Sequence, residues 1–530
     1  MFPWVPMSPQ PLANMSAYEN LREFLSSRTT TELAGSAVAC LVLCYIVQAL
    51  FAWRRLAGVP APSWTVHFSY LWLAMSTYSG KQYWIHKHLH KDLGPLVRIG
   101  PNEVVTNDPG TIKKISGTDE RWARDPFYLT GKFNPYHDNL FSRLDPKEHK
   151  WAKSRTLAAY SGRETPDLEV GVNNLIETLI AKIASKYAAP TANSQTACFL
   201  DLGKTSCYFT LDVITRLAFG REFGYLEHEK DHYNFLGSLH DLWPQMSTCA
   251  DVPWIRKFLF SKPFLTLLGP KTTDKAGFGA LMGVAEHHVA KRFSPDAKPQ
   301  QDMLGSMMKH GLNQTECETE GLFMIIAGTE STASAIRSAL VHTITTPRVY
   351  KALKQEITKA MADGTVSSPI SMVEARNLPY LRAVVYEGLR MRPPLIGYFP
   401  KVVPRGGEEI LGHHLPAGTA IGTNMSAVLS STDLFGPDAD LFRPERFLEL
   451  DEGRRKQMER DVELAFGNGQ WMCVGKTIAF MEIYKSVFEI LRHFDLQLLQ
   501  PYSPSDVMTY GTFLESNLLL KVTQSQRDQA

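Results

Sequence analysis

Apolar residues run without a charge from Leu33 to Trp53, about the twenty needed to cross a bilayer as a helix. Before that run, residues 1–32 are polar and mixed, with Pro3, Pro6, Pro9 and Pro11, and read as a tail. After it, Arg54 and Arg55 open a basic hinge over residues 54–65, stiffened by Pro60-Ala61-Pro62. Glu19, Glu23 and Glu32 precede the span, while no acid follows until Asp92. That asymmetry predicts a single-pass protein with a lumenal tail and a cytosolic body over residues 66–530. A signal peptide is the competing reading; the long tail and the missing basic n-region argue against it. Trp64 to Met75 is aromatic and apolar enough for a membrane interface, and equally for a core helix.

Beyond the hinge, Leu96 to Ile99, Gly100-Pro101-Asn102 and Glu103 to Val105 read as strand, turn and strand. From Gly162 to Met303 the pattern is mostly helical. Thr315-Glu316-Cys317-Glu318 has the form of a capping box, and the periodicity after it predicts a helix to about Thr346, stopped by Pro347. Such a helix is roughly 45 Å long, enough to cross the whole body. Strand-like pieces lie between Val402 and Val428 and as a pair near Asp495–Leu499 and Asn517–Val522, with Tyr510 to Leu514 as the loop between the latter. The fold class is mainly α with small β-sheets.

A chain of 530 residues can bury a large core. Its net charge of +2 gives no case for nucleic-acid binding. Seven cysteines without paired spacing argue against a disulfide scaffold or zinc ribbon and put the body on the reducing side of the membrane.

The strongest chemical candidate is Phe466-Gly467-Asn468-Gly469-Gln470-Trp471-Met472-Cys473-Val474-Gly475, just before an apolar-periodic segment from Lys476 to Phe494. Gly467 and Gly469 allow tight backbone, Phe466 shields, and Gly475 leaves room for something flat. A cysteine at a helix N-terminus is favoured as thiolate by free N–H groups and the dipole, which suits an iron ligand. A phosphate loop is the rival, but it needs glycine where Gln470 stands; a small buried hydrophobe is another. Trp151 and Arg155 stand four apart, so on a helix both can reach one carboxylate. His228-Glu229-Lys230-Asp231-His232 meets the zinc-protease pattern, yet it is charged all round where a zinc helix needs an apolar side. The histidines at 86, 88 and 90, at 287 and 288, and at 413 and 414 read as surface residues.

Phe466-x-x-Gly469-x-x-x-Cys473-x-Gly475 stands in order after Ala327-Gly328-Thr329-Glu330-Ser331-Thr332, Glu387-x-x-Arg390 and Pro444-Glu445-Arg446-Phe447. Together these resemble the cytochromes P-450, over nearly the whole chain beyond the hinge. The resemblance implies the cytochrome P-450 fold around haem b, with Cys473 as axial iron ligand and Phe466 and Gly475 beside it. It places Trp151, Arg155 and Lys401 at a haem propionate, and the loop from Arg124 to Asp145 over the haem, touching substrate. Glu330 becomes the proton-delivering acid, with Ser331 in the usual threonine position and Thr332 able to substitute. Glu387, Arg390 and Arg446 become one buried structural network. Lys147, Lys150 and Lys153 would line a basic face for an acidic electron donor. That donor is an NADPH-cytochrome reductase, since no nicotinamide or flavin fingerprint is present.

Two positions depart from the family. Trp471 stands where arginine or histidine holds a propionate, and an indole gives one hydrogen bond but no charge. Ser331 keeps the hydroxyl but lacks the methyl that fixes threonine's rotamer. Trp471, with Tyr160-Ser161-Gly162-Arg163-Glu164, resembles fungal members like pisatin demethylase. The expectation is a monooxygenase of the endoplasmic reticulum membrane, acting on an apolar intermediate of fungal secondary metabolism, with Asn14 as a lumenal glycosylation acceptor. A haem-thiolate desaturase or oxidative coupling enzyme is the near alternative, and a non-catalytic haem-binding sensor the distant one.

Overall fold

The computed structural model describes residues 29–191 and 198–525; Asn14 and most of the tail lie outside the described residues. The first helix among the described residues, α1 (Thr30–Arg55), has a capping box between Thr29 and Glu32 and no buried residue. Its apolar surface, including Leu41, Leu43, Leu50 and Phe51, is exposed, and the helix is long and apolar enough to cross a membrane. Its C-terminal carbonyls are not left open: Arg98 donates to Ala52 O at 2.9 Å and to Trp53 O at 3.2 Å. Leu56 and Val59 are buried with the first sheet, so the hinge is packed against the body. Trp64 to Met75 is split between both expected roles, for Val66 and Leu73 are buried while Trp64, Leu71 and Met75 are exposed.

Helix α2 (Gln82–Leu93) corrects the reading of two histidines. His86 and His90 lie four apart with Leu89 on the face turned to the core, and His86 stacks on Trp72 at 5.9 Å. Burial pulls the His86 imidazole down to about 4. His288 is half-buried against Phe223 at 5.0 Å, whereas His88, His287 and His414 are exposed.

The sheet that reaches the site has strand order β1-β2-β4-β3, from β1 (Leu96–Arg98), β2 (Glu103–Thr106), β3 (Lys401–Val402) and β4 (Ala420–Thr423). β1 and β2 are antiparallel, β2 and β4 parallel, and Lys401 pairs antiparallel with Ile421. Met425–Val428, expected as strand, is a helical turn because the Asn424 side chain caps Ala427 N–H at 3.2 Å.

The helical body holds α3 (Pro146–Tyr160), α4 (Leu202–Phe219), α5 (Gln314–Ile344), α6 (Pro379–Met391) and α7 (Lys476–His493). α5 packs against α4, α6 and α7 and is buried along most of its length. Its capping box is Asn313 with Glu316, each side chain accepting the other's N–H at 2.9 Å, two residues before the expected Thr315. It stops at Ile344 because Thr346, held extended before Pro347, cannot continue it.

At the C-terminal end β5 (Phe494–Leu498) pairs antiparallel with β8 (Leu519–Gln524). Between them is a hairpin the sequence reading missed, β6 (Asp506–Thr509) and β7 (Phe513–Ser516), with Tyr510–Thr512 at its tip. The zinc-protease pattern does not lie on one helix. A short helix ends at His228, Glu229 takes φ 48°, and His228 Nδ1 meets His232 Nε2 at 3.1 Å. Among the described residues there is no group of three or more side chains able to hold a metal ion.

Candidate active site

The cysteine loop is built by backbone constraint. Gly467 has φ +78° and Gly469 φ +56°; a Cβ on Gly469 would stand 2.4 Å from Ser116 O. Those positions admit only glycine without strain. The loop is closed by Cys473 N–H donating to Phe466 O at 2.7 Å, and Phe466 packs on Phe480 at 5.2 Å. Cys473 is accessible, although α7 behind it is buried. The protein crowded round the sulfur still displaces water and pushes the thiol up, opposed by the N–H groups of Gly475 and Lys476 and by the Lys153 and Lys476 ammonium groups. Gly475 keeps the space beside the sulfur open; a Cβ there would lie 3.8 Å from Sγ.

Helix α3 does not present the expected pair. Its buried stripe is His149, Ala152, Thr156, Ala159 and Tyr160. Trp151 is 43% exposed, and Arg155 lies over its ring at 4.4 Å while donating to His310 O at 3.1 Å. Residues two apart on a helix are about 200° round from each other, so the face toward the cysteine loop carries His149 and Lys153 instead. Lys153 Nζ donates to Gln470 O at 2.8 Å and Met472 O at 2.9 Å, and burial pulls its ammonium down to about 8. Only Lys147 and Lys150 of the expected basic face remain free of the loop, Lys150 lying 3.5 Å from Glu120.

His149 packs against Trp471 at 4.4 Å. The Arg124 guanidinium lies 4.5 Å from the Trp471 ring centre and Lys401 Nζ 5.3 Å from it. Arg124 donates to Leu140 O and Phe141 O, both at 2.8 Å, and Lys401 to the Tyr128 hydroxyl at 2.8 Å. Both cations are buried, and neither forms an ion pair with a carboxylate among the described residues. Burial lowers Lys401 well below the usual lysine range, with Arg124 adding to it, and brings Arg124 down to about 10. His149, buried among cations, is pulled to about 2 and is neutral. Arg124 Nε, Trp471 Nε1 and His149 Nδ1 are buried without a partner among the described residues. The sequence reading did not single out Arg124, whose hydrogen-bond partners are carbonyls of its own loop; an arginine in an aromatic stretch was the signal for it.

On the other side, α5 carries an exposed Ala327 and half-buried Gly328 and Ser331 within its buried run. Ser331 Oγ donates to Ala327 O at 2.6 Å. Glu330 is buried and turned the other way, held by Arg337 and by the Cys207 thiol; Thr332 is buried too. Phe141 stacks on Phe323 at 5.5 Å and meets Phe399 at 6.4 Å, an apolar wall. The hairpin tip reaches the same region: Ile396 N–H donates to Gly511 O at 2.8 Å, and Trp243 Nε1 to Tyr510 O at 2.9 Å.

The structural network does assemble. Arg390 makes two 2.8 Å bonds to Glu387, Arg446 Nε a third at 3.0 Å, and Arg443 N–H a fourth at 2.9 Å. The remaining guanidinium donors go to Leu429 O and Ala439 O from Arg390, and to Asp438 and Phe435 O from Arg446.

The implied haem is a flat group with two carboxylates, and the residues fit it. Cys473, in the loop before α7, and Ala327, on α5, are accessible, with small residues at each. Beside them, among the described residues, stand two buried cations without an ion-pair partner and donors without an acceptor, a combination that costs several kcal/mol until an anion binds.

Comparison with known proteins agrees with this geometry. The Cytochrome P450 family model matches residues 59–522. A cytochrome P450 monooxygenase aba1 of Botryotinia fuckeliana (strain B05.10) is 65% identical over 471 residues, covering 89% of this chain and 92% of the relative. A cytochrome P450 monooxygenase abl1 of Leptosphaeria maculans is 55% identical over 503 residues, covering 92% and 88%. A cytochrome P450 monooxygenase ABA1 of Pyricularia oryzae (strain 70-15) is 38% identical over 511 residues, covering 96% and 99%.

Proposed function

The chain belongs to the cytochrome P450 family, and from that premise we propose that Cys473 is the iron ligand of a membrane-anchored monooxygenase oxidising an apolar small molecule of fungal secondary metabolism. The observation that carries the reading is an accessible cysteine at the start of α7, next to buried cations that have no carboxylate. Haem bound through a thiolate supplies activation of O2, one atom entering the substrate and the other leaving as water.

The chain's own residues do the rest. The N–H groups of Gly475 and Lys476 and the α7 dipole stabilise negative sulfur. Arg124 and Lys401 neutralise the propionates, while Lys153 and His149 support the loop and Trp471 donates its one N–H. Trp151 and Arg155 stay at the surface and take no part. Ser331 offers a hydroxyl beside the exposed Ala327, and Glu330 supplies protons once its carboxylate turns toward Ser331, with Thr332 able to substitute for Ser331. Phe141, Phe323 and Phe399 give the substrate its apolar wall and exclude water.

Electrons come from an NADPH-dependent reductase docked on the face of Lys147 and Lys150. Helix α1 anchors the chain once in the endoplasmic reticulum membrane, with the tail and Asn14 lumenal and the body cytosolic. The test is to disrupt the gene in its host and compare metabolites by accurate mass, with labelled oxygen gas. The expected result is a precursor lacking one oxygen, with label in the wild-type product. A difference of hydrogen alone overturns monooxygenation in favour of desaturation or coupling.

A further inference from the structure

Glu330 has both carboxylate oxygens occupied. Arg337, two turns along α5, holds Oε1, and Cys207 on α4 donates its S–H to Oε2 at 3.0 Å. Arg337 is fully buried and pinned by other partners: Glu515 Oε2 at 3.1 Å, Ser206 Oγ at 3.1 Å and Gly203 O at 3.3 Å. Its Nη1 also lies 3.3 Å from the Cys207 sulfur, so the thiol both accepts and donates. Glu515 is itself held by Arg392 at 3.2 Å, which leaves two acids balanced by two guanidiniums. Neighbouring Thr210 ties α4 to Thr329 O at 2.8 Å.

The two bonds on Glu330 are unequal. The guanidinium bond is charge-assisted and its donor cannot move, whereas a thiol is a weak donor on a short side chain. We propose that Cys207 is a positioning residue for proton delivery: its thiol holds Glu330 Oε2 away from Ser331 and is the partner released when the carboxylate pivots about its bond to Arg337. Burial keeps Cys207 a thiol by raising it well above the usual range, with the Glu330 charge adding to that.

This inference rests on the reading of Glu330 as the proton-supplying acid, and the experiment separates the two. Full-length holoenzyme is run with reductase and NADPH alone, and the consumed O2 is divided between peroxide and water for wild type, Cys207→Ala, Cys207→Ser and Glu330→Gln. Because a thiol is a weak donor, removing its one hydrogen bond shifts such a division by roughly two- to tenfold. The proposal expects that shift in Cys207→Ala and its rescue in Cys207→Ser. An unchanged division in Cys207→Ala, with Glu330→Gln shifted, overturns this proposal alone. An unchanged division in Glu330→Gln overturns the reading of Glu330 itself.

Should Cys207→Ala fail to fold, the infrared S–H stretch decides. A low-frequency band absent from Cys207→Ser and raised in Glu330→Gln is expected. The same band unmoved by Glu330→Gln contradicts a thiol bound to that carboxylate.

Discussion

Two clusters of buried charge in this protein are built oppositely. Glu387, Arg390 and Arg446 are satisfied by one another, by Asp438 and by backbone carbonyls. Arg124 and Lys401 have hydroxyl, carbonyl and ring partners but no carboxylate. A charge buried with its counter-ion completes a fold; a charge buried without one marks where an anion is to be held. The first cluster therefore belongs to the architecture of the protein, while the second suits the carboxylates of the cofactor proposed for it.

The largest test of that contrast is Glu387→Ala, which strands two buried guanidiniums. A loss of about 3–5 kcal/mol is expected in denaturant unfolding, and a loss below about 1 kcal/mol would show the network to be ornamental. Lys401→Met should go the other way. Haem-free protein should gain roughly 1–3 kcal/mol by shedding an unpaired charge, while haem transfer to an acceptor protein becomes faster.

The lysine case also fixes a pH dependence. Folded Lys401 has a lowered pKa, so between that value and ~10.4 the unfolded chain binds the extra proton. Stability of the haem-free protein therefore rises with pH across that window, and its deficit against Lys401→Met closes. A deficit that widens with pH contradicts the assignment. Smaller still, Trp471→Phe keeps the ring under Arg124 and Lys401 but removes the one donor; haem release should quicken several-fold, the equivalent of about 1 kcal/mol. Arg155→Ala, at the surface, should leave haem release within about 0.5 kcal/mol of wild type.

Much of this was legible before any coordinates. The apolar run of α1, the long α5 with its small-residue centre, and the glycine-framed Cys473 all carry their signal in local sequence. Glu387 and Arg390 share a helical face by spacing alone. Helix α3 failed for a physical reason: spacing of four is met by Trp151 and Arg155 and equally by His149 and Lys153. What chooses between them is the stripe of Ala152, Thr156 and Ala159 that turns His149 inward. The β6–β7 hairpin was read as loop because its strands are four residues each and lack clean alternation. The Cys207–Glu330 contact joins residues far apart in the chain, and nothing in either local stretch announces it.

The central claim is that Cys473 is the thiolate that holds the haem, and the most direct test is the absorption spectrum of the reduced, carbon-monoxide-bound holoenzyme beside that of Cys473→Ser. The account predicts a red-shifted, thiolate-type Soret band in the wild type that is lost in the variant. The same band persisting in Cys473→Ser would contradict it.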